Sequence, residues 1–226
     1  MKLLTSNLEA ILKRKGSSLS QFLTEHNVVK VSDLKLGEVE LFCFREGIDF
    51  TNLLSYNLTI DKQKLKKLKL LILDVDGVMT DAGMFFTENG DQIKKYNAKD
   101  GMAIMALKKH GVDVGIISSG FKLEMVKARA ELLKIEHLYV GRDPKIDILN
   151  AWCKKLNIDL SEVGIIGDDI NDLEVMKSVG FSAAPADAVP VVKEQVDLVL
   201  QTIGGRGCVR EFIDNYLLDE PLQGKS

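Results

Sequence analysis

Three short stretches place carboxylates, hydroxyls and glycines directly behind apolar runs. Asp74-Val75-Asp76-Gly77 follows one run, Ser118-Ser119-Gly120 a second, and Gly167-Asp168-Asp169 a third, with Asn171 and Asp172 just beyond. Lys145 opens a helical stretch between the last two. Gathered on one edge, five carboxylates, one or two hydroxyls and an ammonium would be a costly cluster, because like charges a few ångströms apart cannot all stay ionised. An oxygen-preferring Mg²⁺ is the natural counter-ion, held by one or two carboxylates plus substrate phosphate and water. With that charge balanced, Asp74 can attack an anionic electrophile such as phosphorus and form an aspartyl-phosphate. Asp76 can protonate the leaving oxygen and then deprotonate the attacking water. Ser118 or Ser119, with the backbone amides that follow, can hold phosphoryl oxygens, while Lys145 balances their charge and orients Asp74.

Such convergence needs a scaffold that delivers several strand ends to one place. Short apolar runs at 68–74, 111–118, 137–140, 163–168, 181–184 and 197–200 alternate with helical patterns at 98–111, 121–134, 143–157 and 169–180. Strand and helix in alternation predict an α/β fold, a Rossmann-like doubly wound parallel sheet with helices on both faces. Ligands of such sheets sit at the carboxyl ends of the strands, where the polar stretches fall. Pro144 suits a helix start and Gly180 a helix end. Residues 82–97 instead alternate apolar and polar around Glu88-Asn89-Gly90, the pattern of a β-hairpin.

Composition narrows the rest. The 226 residues carry 30 Lys and Arg against 33 Asp and Glu, so net charge gives no reason to bind nucleic acid. No apolar run approaches the roughly 20 residues of a membrane span, and the start lacks the apolar core of a secretory signal. Cys43, Cys153 and Cys208 are odd in number and far apart, which points to a reducing, cytoplasmic setting. Three scattered histidines and no Cys-x-x-Cys argue against zinc. Residues 1–60 balance seven acids with seven bases, 61–69 carry a net +4, and 70–226 a net −7. The expected organisation is a small helical segment (1–60), a basic linker (61–69) and a main domain (70–226). The first segment reads as three or four short helices, with Ser18 or Ser20 as a cap. Their order faintly resembles a repressor-type helix-turn-helix, but zero net charge weakens a DNA-binding reading, and docking or self-association is the plainer role.

The four motifs at 74–81, 118–120, 145 and 167–172 resemble, in order and spacing, those of the haloacid dehalogenase superfamily of phosphohydrolases. A narrower likeness covers about 68–218: DVDGVMTDAGMFF, KKYNAKDGMAI, RAELLKIEHLYVG, GDDINDLEVMKSVGFSAAPADA and GGRGCVREF are similar to the capless phosphatases of eight- and nine-carbon sugar acids. That resemblance implies Asp74 as nucleophile and Asp76 as acid and base. It implies Mg²⁺ held by Asp74, Asp168 and the Asp76 carbonyl, with Asp169 and Asp172 supporting the site. The implied substrate is a 2-keto-3-deoxy sugar acid, 3-deoxy-D-manno-octulosonate (KDO) 8-phosphate or a sialic-acid-like 9-phosphate. The implied assembly is a homotetramer whose hairpins pack together in place of a cap. The spacing agrees: 43 residues separate Asp74 from Ser118 and 25 separate Ser119 from Lys145, which leaves no room for a lid domain. The Gly204-Gly205-Arg206-Gly207 run suits anion binding, and Arg206 is the candidate for the sugar-acid carboxylate.

Two departures stand out. Where the subfamily reads Thr-Gly followed by Arg or Glu, this chain has Ser118-Ser119-Gly120-Phe121, with an extra serine and an apolar residue in the selective place. The N-terminal segment lies outside the resemblance. A phosphatase for another small metabolite, or a non-catalytic oligomerisation module like that fused to some acylneuraminate cytidylyltransferases, are the alternatives. Plainer roles also exist for single residues. Asp169 can cap a helix, Arg206 and Arg210 can pair with the C-terminal helix, Lys94 and Lys95 read as a solvated face, and Trp152 and the methionines at helical spacing read as core.

Overall fold

The computed structural model describes residues 1–60, 62–89, 92–120 and 122–218. The chain divides into two compact units, Met1–Ile60 and Asp61–Ser226.

The first unit holds helices α1 (Lys2–Arg14), α2 (Leu19–Glu25), α3 (Leu36–Glu46) and α4 (Phe50–Ser55). Ser18 caps α2 by accepting the Gln21 N–H (3.2 Å), and Asp49 caps α4 through the Asn52 N–H (2.7 Å). Its core is Leu8, Ile11, Leu12, Phe22, Val39, Cys43 and Leu53. Buried Asn7 ties the first helix to the end of the unit: its amide donates to the Leu53 and Tyr56 carbonyls (2.9 and 2.8 Å) and its oxygen accepts the Leu58 N–H (3.0 Å). A helix-turn-helix joins its two helices by a turn of roughly three or four residues. Here residues 26–35 intervene between α2 and α3, with only a single 3-10 turn at Val31–Asp33. Residues 15–18, by contrast, join α1 to α2 in a four-residue turn.

The second unit begins with α5 (Lys62–Leu65) and continues as β1 (Leu70–Leu73), β2 (Phe85–Phe86), β3 (Gln92–Ile93), α6 (Ala98–Leu107), β4 (Asp113–Ser118), α7 (Leu123–Leu133), β5 (His137–Val140), α8 (Lys145–Leu156), β6 (Val163–Ile166), α9 (Leu173–Ser178), β7 (Phe181–Ala184), α10 (Pro190–Lys193), β8 (Leu198–Val199) and α11 (Cys208–Phe212). The basic stretch is no free tether. Lys64 pairs with Asp197 (2.7 Å), Lys69 with Glu162 (2.7 Å), and Leu65 and Leu68 are buried.

Six strands form one parallel sheet in the order β5-β4-β1-β6-β7-β8, as the alternation predicts. β1 is LLIL, buried on both faces as a central parallel strand must be. Leu70 and Ile72 pack with Leu149 and Cys153 of α8 and Val175 and Met176 of α9; Leu71 and Leu73 point to the opposite face. From β1 the chain first crosses to β4 and β5 on one side, then to β6, β7 and β8 on the other. The crevice at the β1 carboxyl end is thus the topological switch point where ligands bind in such sheets.

β2 and β3 pair antiparallel as the expected hairpin, with Phe85 opposite Ile93; the turn residues Gly90 and Asp91 lie outside the described residues. Met84, Phe85, Phe86 and Ile93 are 57% to 62% exposed on a short flap, Phe85 and its partner Ile93 on one face and, by the alternation, Met84 and Phe86 on the other. The methionines divide: Met79 and Met176 are core, whereas Met102 and Met105 stand exposed on α6. All three cysteines are free and buried. Among the described residues no helix is long and apolar enough to cross a membrane.

Candidate active site

Asp74 is the first residue past β1, and its N–H donates to the Ile166 carbonyl of β6 (3.1 Å), which anchors it between two strands. The chain then turns back sharply. Gly77 sits at φ 85°, and a Cβ there would collide with the Asp168 carboxylate, so this position serves both the turn and the approach of a second motif. Thr80 closes the loop with its N–H on the Val75 carbonyl (3.0 Å).

Lys145 begins α8 and reaches under the strand ends. Its Nζ lies 2.9 Å from Asp74 Oδ1 and 2.6 Å from Asp172 Oδ1, and all three side chains are buried. Asp172 in turn accepts the Asp168 N–H on Oδ2 (3.1 Å). One ammonium against two carboxylates leaves a buried negative excess, and Asp168 adds to it. Carboxylate oxygens of Asp74, Asp168 and Asp172 lie within 4.8 Å of one another. Burial pushes the Asp74 carboxyl up to about 7, helped by the Asp172 charge and opposed by Lys145. Burial likewise pushes Asp168 up to about 8, helped by Asp74, Asp172 and Asp169. Burial alone would lower the Lys145 ammonium, but Asp74 and Asp172 together outweigh it and hold its pKa raised. Asp168 Oδ1 is buried with no hydrogen-bond partner among the described residues. An orphaned carboxylate oxygen in an all-oxygen, over-negative cluster fits a hard divalent cation.

That electrostatic strain is measurable. Asp74 and Asp168 have folded pKa values above the ordinary carboxylate value of 3.8. Without metal, the folded state therefore binds more protons than the unfolded chain between about pH 4 and pH 8, and stability falls as pH rises through that window. Melting in EDTA is expected to drop from pH 5 to pH 8, and the gain in Tm on adding Mg²⁺ to grow over the same range. A gain that is flat with pH would contradict this.

The motif-two residues separate cleanly. Ser118 ends β4; it is buried and its Oγ accepts the Gly120 N–H (3.2 Å). Ser119 is half-buried, and its Oγ accepts from Asn171 Nδ2 (3.1 Å), which links the second motif to the fourth. Phe121 lies outside the described residues.

Three further groups of site residues have definite places in the fold, and one of them differs from expectation. Asp169 is exposed and caps the short turn Ile170–Asp172 by accepting the Ile170 N–H (2.7 Å); it reaches the carboxylate cluster only as a nearby charge. The Asp76 carboxylate lies outside that cluster and turns to Lys94 and Thr80, in keeping with the expectation that its carbonyl, not its side chain, meets the metal. The Gly204-Gly205 amides are not open to an anion: Gly204 N–H donates to Asp187 (2.9 Å) and Gly205 N–H to the Val78 carbonyl (2.9 Å). Gly205, at φ 65°, packs so closely on Thr80 and Asp81 that a Cβ would strike their backbone. The tail thus clamps the Asp74–Asp81 loop. Arg206 stands exposed beside Lys99 and Arg210 in a shallow cleft, and Arg210 pairs with Asp214.

Lys94 overturns the solvated-face reading. Its side chain is 9% exposed and ion-pairs with Asp76, while Lys95 points outward to Asp81 (2.8 Å). The period-two alternation of the hairpin carries that signal, since it puts Lys94 and Tyr96 on one face and Lys95 on the other.

A family model for haloacid dehalogenase-like hydrolases matches residues 142–212. The 3-deoxy-D-manno-octulosonate 8-phosphate phosphatase KdsC of Escherichia coli is 40% identical over 162 residues, which cover 72% of this chain and 84% of that protein. This chain is a haloacid dehalogenase-like phosphatase of the KDO 8-phosphate phosphatase family. Its fold agrees with solved relatives. The Yersinia pestis KDO 8-phosphate phosphatase superposes with a TM-score of 0.67 at 37% identity, over 69% of this chain and 84% of that one. The Moraxella catarrhalis enzyme, solved in complex with a magnesium ion, a phosphate ion and KDO, superposes with a TM-score of 0.66 at 34% identity, over 69% and 89%.

Proposed function

We propose that this phosphatase is a cytoplasmic, Mg²⁺-dependent enzyme that removes the terminal phosphate of KDO 8-phosphate. The observation that carries the proposal is the Asp74–Lys145–Asp172 ion-pair system with the orphaned Asp168 beside it, on a chain 40% identical to KDO 8-phosphate phosphatases.

Asp74, Asp168 and the Asp76 carbonyl would hold the cation, with Asp172 reserved for Lys145. When bound, Mg²⁺ neutralises the cluster and offsets charge on the phosphoryl oxygens. Lys145 keeps Asp74 ionised and aimed. The Asp74 carboxylate attacks phosphorus, the bond to the sugar oxygen breaks, and Asp76 gives that oxygen its proton. Asp76, now a carboxylate, takes a proton from water, whose oxygen attacks phosphorus and frees Asp74 with inorganic phosphate. Ser118 and Ser119 each accept one hydrogen bond and keep their own proton to donate, and the half-buried Ser119 is the more accessible of the two, which favours it as the phosphate-binding hydroxyl. Arg206 would fork the sugar-acid carboxylate, and Gly120 would border the sugar.

A homotetramer built through the hairpins follows from the same family reading, and the exposed Met84, Phe85, Phe86 and Ile93 supply the apolar surface for it. The double change Phe85→Asp and Phe86→Asp is expected to lower the mass seen by light scattering and leave the melting of the fold nearly unchanged. An unaltered mass would remove the hairpin from the assembly.

The substrate test is a panel assayed with Mg²⁺: KDO 8-phosphate, nine-carbon 2-keto acid 9-phosphates and neutral sugar phosphates. The highest kcat/KM is expected for KDO 8-phosphate. A preference for neutral sugars would sink the sugar-acid assignment, and a preference for the nine-carbon acids would move it to the sialic-acid-like class.

A further inference from the structure

We propose that Lys94 is a positioning residue for Asp76, and that it couples the hairpin flap to proton transfer. The proposal rests on the reading of Asp76 as acid and base given above. Lys94 immediately follows β3, and its inward-facing side chain ends in an ion pair with Asp76 Oδ1. Thr80 Oγ1 lies 3.3 Å from the same oxygen. The Thr80 hydroxyl is also 3.3 Å from the Val75 carbonyl and shares its one proton between the two, so the Lys94 ammonium is the main group that fixes Oδ1 and leaves Oδ2 to exchange the proton with the leaving oxygen and then with water. A lysine this enclosed is desolvated, and a fixed partner is what makes such burial tolerable. The register of the hairpin decides the arrangement, because a one-residue slip would exchange Lys94 with Lys95. The acid and base is thus aligned only while the flap keeps its register. Misplacement of a reacting group by about 1 Å costs on the order of 100-fold in rate, which sets the scale expected for losing this contact.

The test compares Lys94→Met, Lys94→Gln and Lys94→Arg with the wild type, as the full chain with Mg²⁺, on two esters. One is KDO 8-phosphate, whose alkoxide leaving group needs a proton; the other is p-nitrophenyl phosphate, whose phenolate does not. Lys94→Met and Lys94→Gln are expected to lower kcat on KDO 8-phosphate by about 10- to 100-fold with KM nearly unchanged, and Lys94→Arg to recover most of it. The pre-steady-state burst of p-nitrophenolate should stay within about threefold of wild type, since the first step there does not call on Asp76 as an acid. In an Asp76→Asn background, removing Lys94 should cost little more. Equal losses in the first step on both esters, or full additivity with Asp76→Asn, would overturn the proposal. So would wild-type kcat in both Lys94→Met and Lys94→Gln. The Gln variant keeps the answer readable where the Met variant folds poorly. A wild type that cleaves the aryl ester and ignores KDO 8-phosphate would refute the sugar-acid reading instead, and the comparison would then run against whichever alkyl phosphate it accepts.

Discussion

Asp74→Asn is expected to lower phosphate release by about four orders of magnitude or more, the scale seen when an enzyme loses its nucleophile. The amide is nearly isosteric with the carboxylate, so the fold has no steric reason to change. Its electrostatic effect on stability is the reverse of its effect on rate. Asp74 is a buried carboxyl whose pKa burial and Asp172 push up to about 7. A neutral amide removes that repulsion, so the metal-free variant should melt no lower than wild type at pH 8. Activity and melting measured on one preparation check both halves. A variant that keeps even a tenth of wild-type kcat would contradict the nucleophile assignment, whatever its stability.

The second large effect is expected at Lys145. Its ammonium touches Asp74 and Asp172 and is almost fully enclosed. Removing one partner of a buried charge system typically costs about 3–5 kcal/mol, because the remaining charges stay behind unpaired. The carboxyls can escape part of that cost by taking up protons. Lys145→Met should therefore be only mildly destabilised near pH 5 and progressively worse towards pH 9, as the stranded carboxyls are forced to ionise. Its kcat should fall about 100-fold or more, since Asp74 loses the charge that keeps it an ionised nucleophile. Urea unfolding at both pH values and a steady-state assay at pH 7 read these effects. A stability deficit that does not grow with pH would mean that Lys145 is not the counter-charge of the cluster.

Much of this was legible in the residues. Strand ends bearing Asp74, Ser119 and Asp168 can converge only in a parallel sheet with β1 at its centre, and the short intervals between motifs excluded a lid. What stayed hidden was the direction in which polar side chains point. Asp169 and Asp172 look equivalent in the motif, yet a capping turn sends the first to solvent and folds the second beneath Lys145. Glycine amides at 204 and 205 look free for an anion, but the tail uses them to grip Asp187 and the Val78 carbonyl. Lys94 and Lys95 look alike as a charged pair; only the pleat separates the buried one from the exposed one. In each case the deciding interaction lies far away in sequence or depends on the register of a strand, and composition carries neither.

Phosphate is expected to pass through Asp74 on its way from sugar to water. The direct measurement is a rapid acid quench of enzyme turning over KDO 8-phosphate with Mg²⁺, followed by borohydride reduction and peptide mass spectrometry. An acyl phosphate at Asp74 would be reduced to homoserine at that one position, dependent on both Mg²⁺ and substrate. Steady phosphate release with an unmodified Asp74 peptide, or with the label on another residue, would contradict the account.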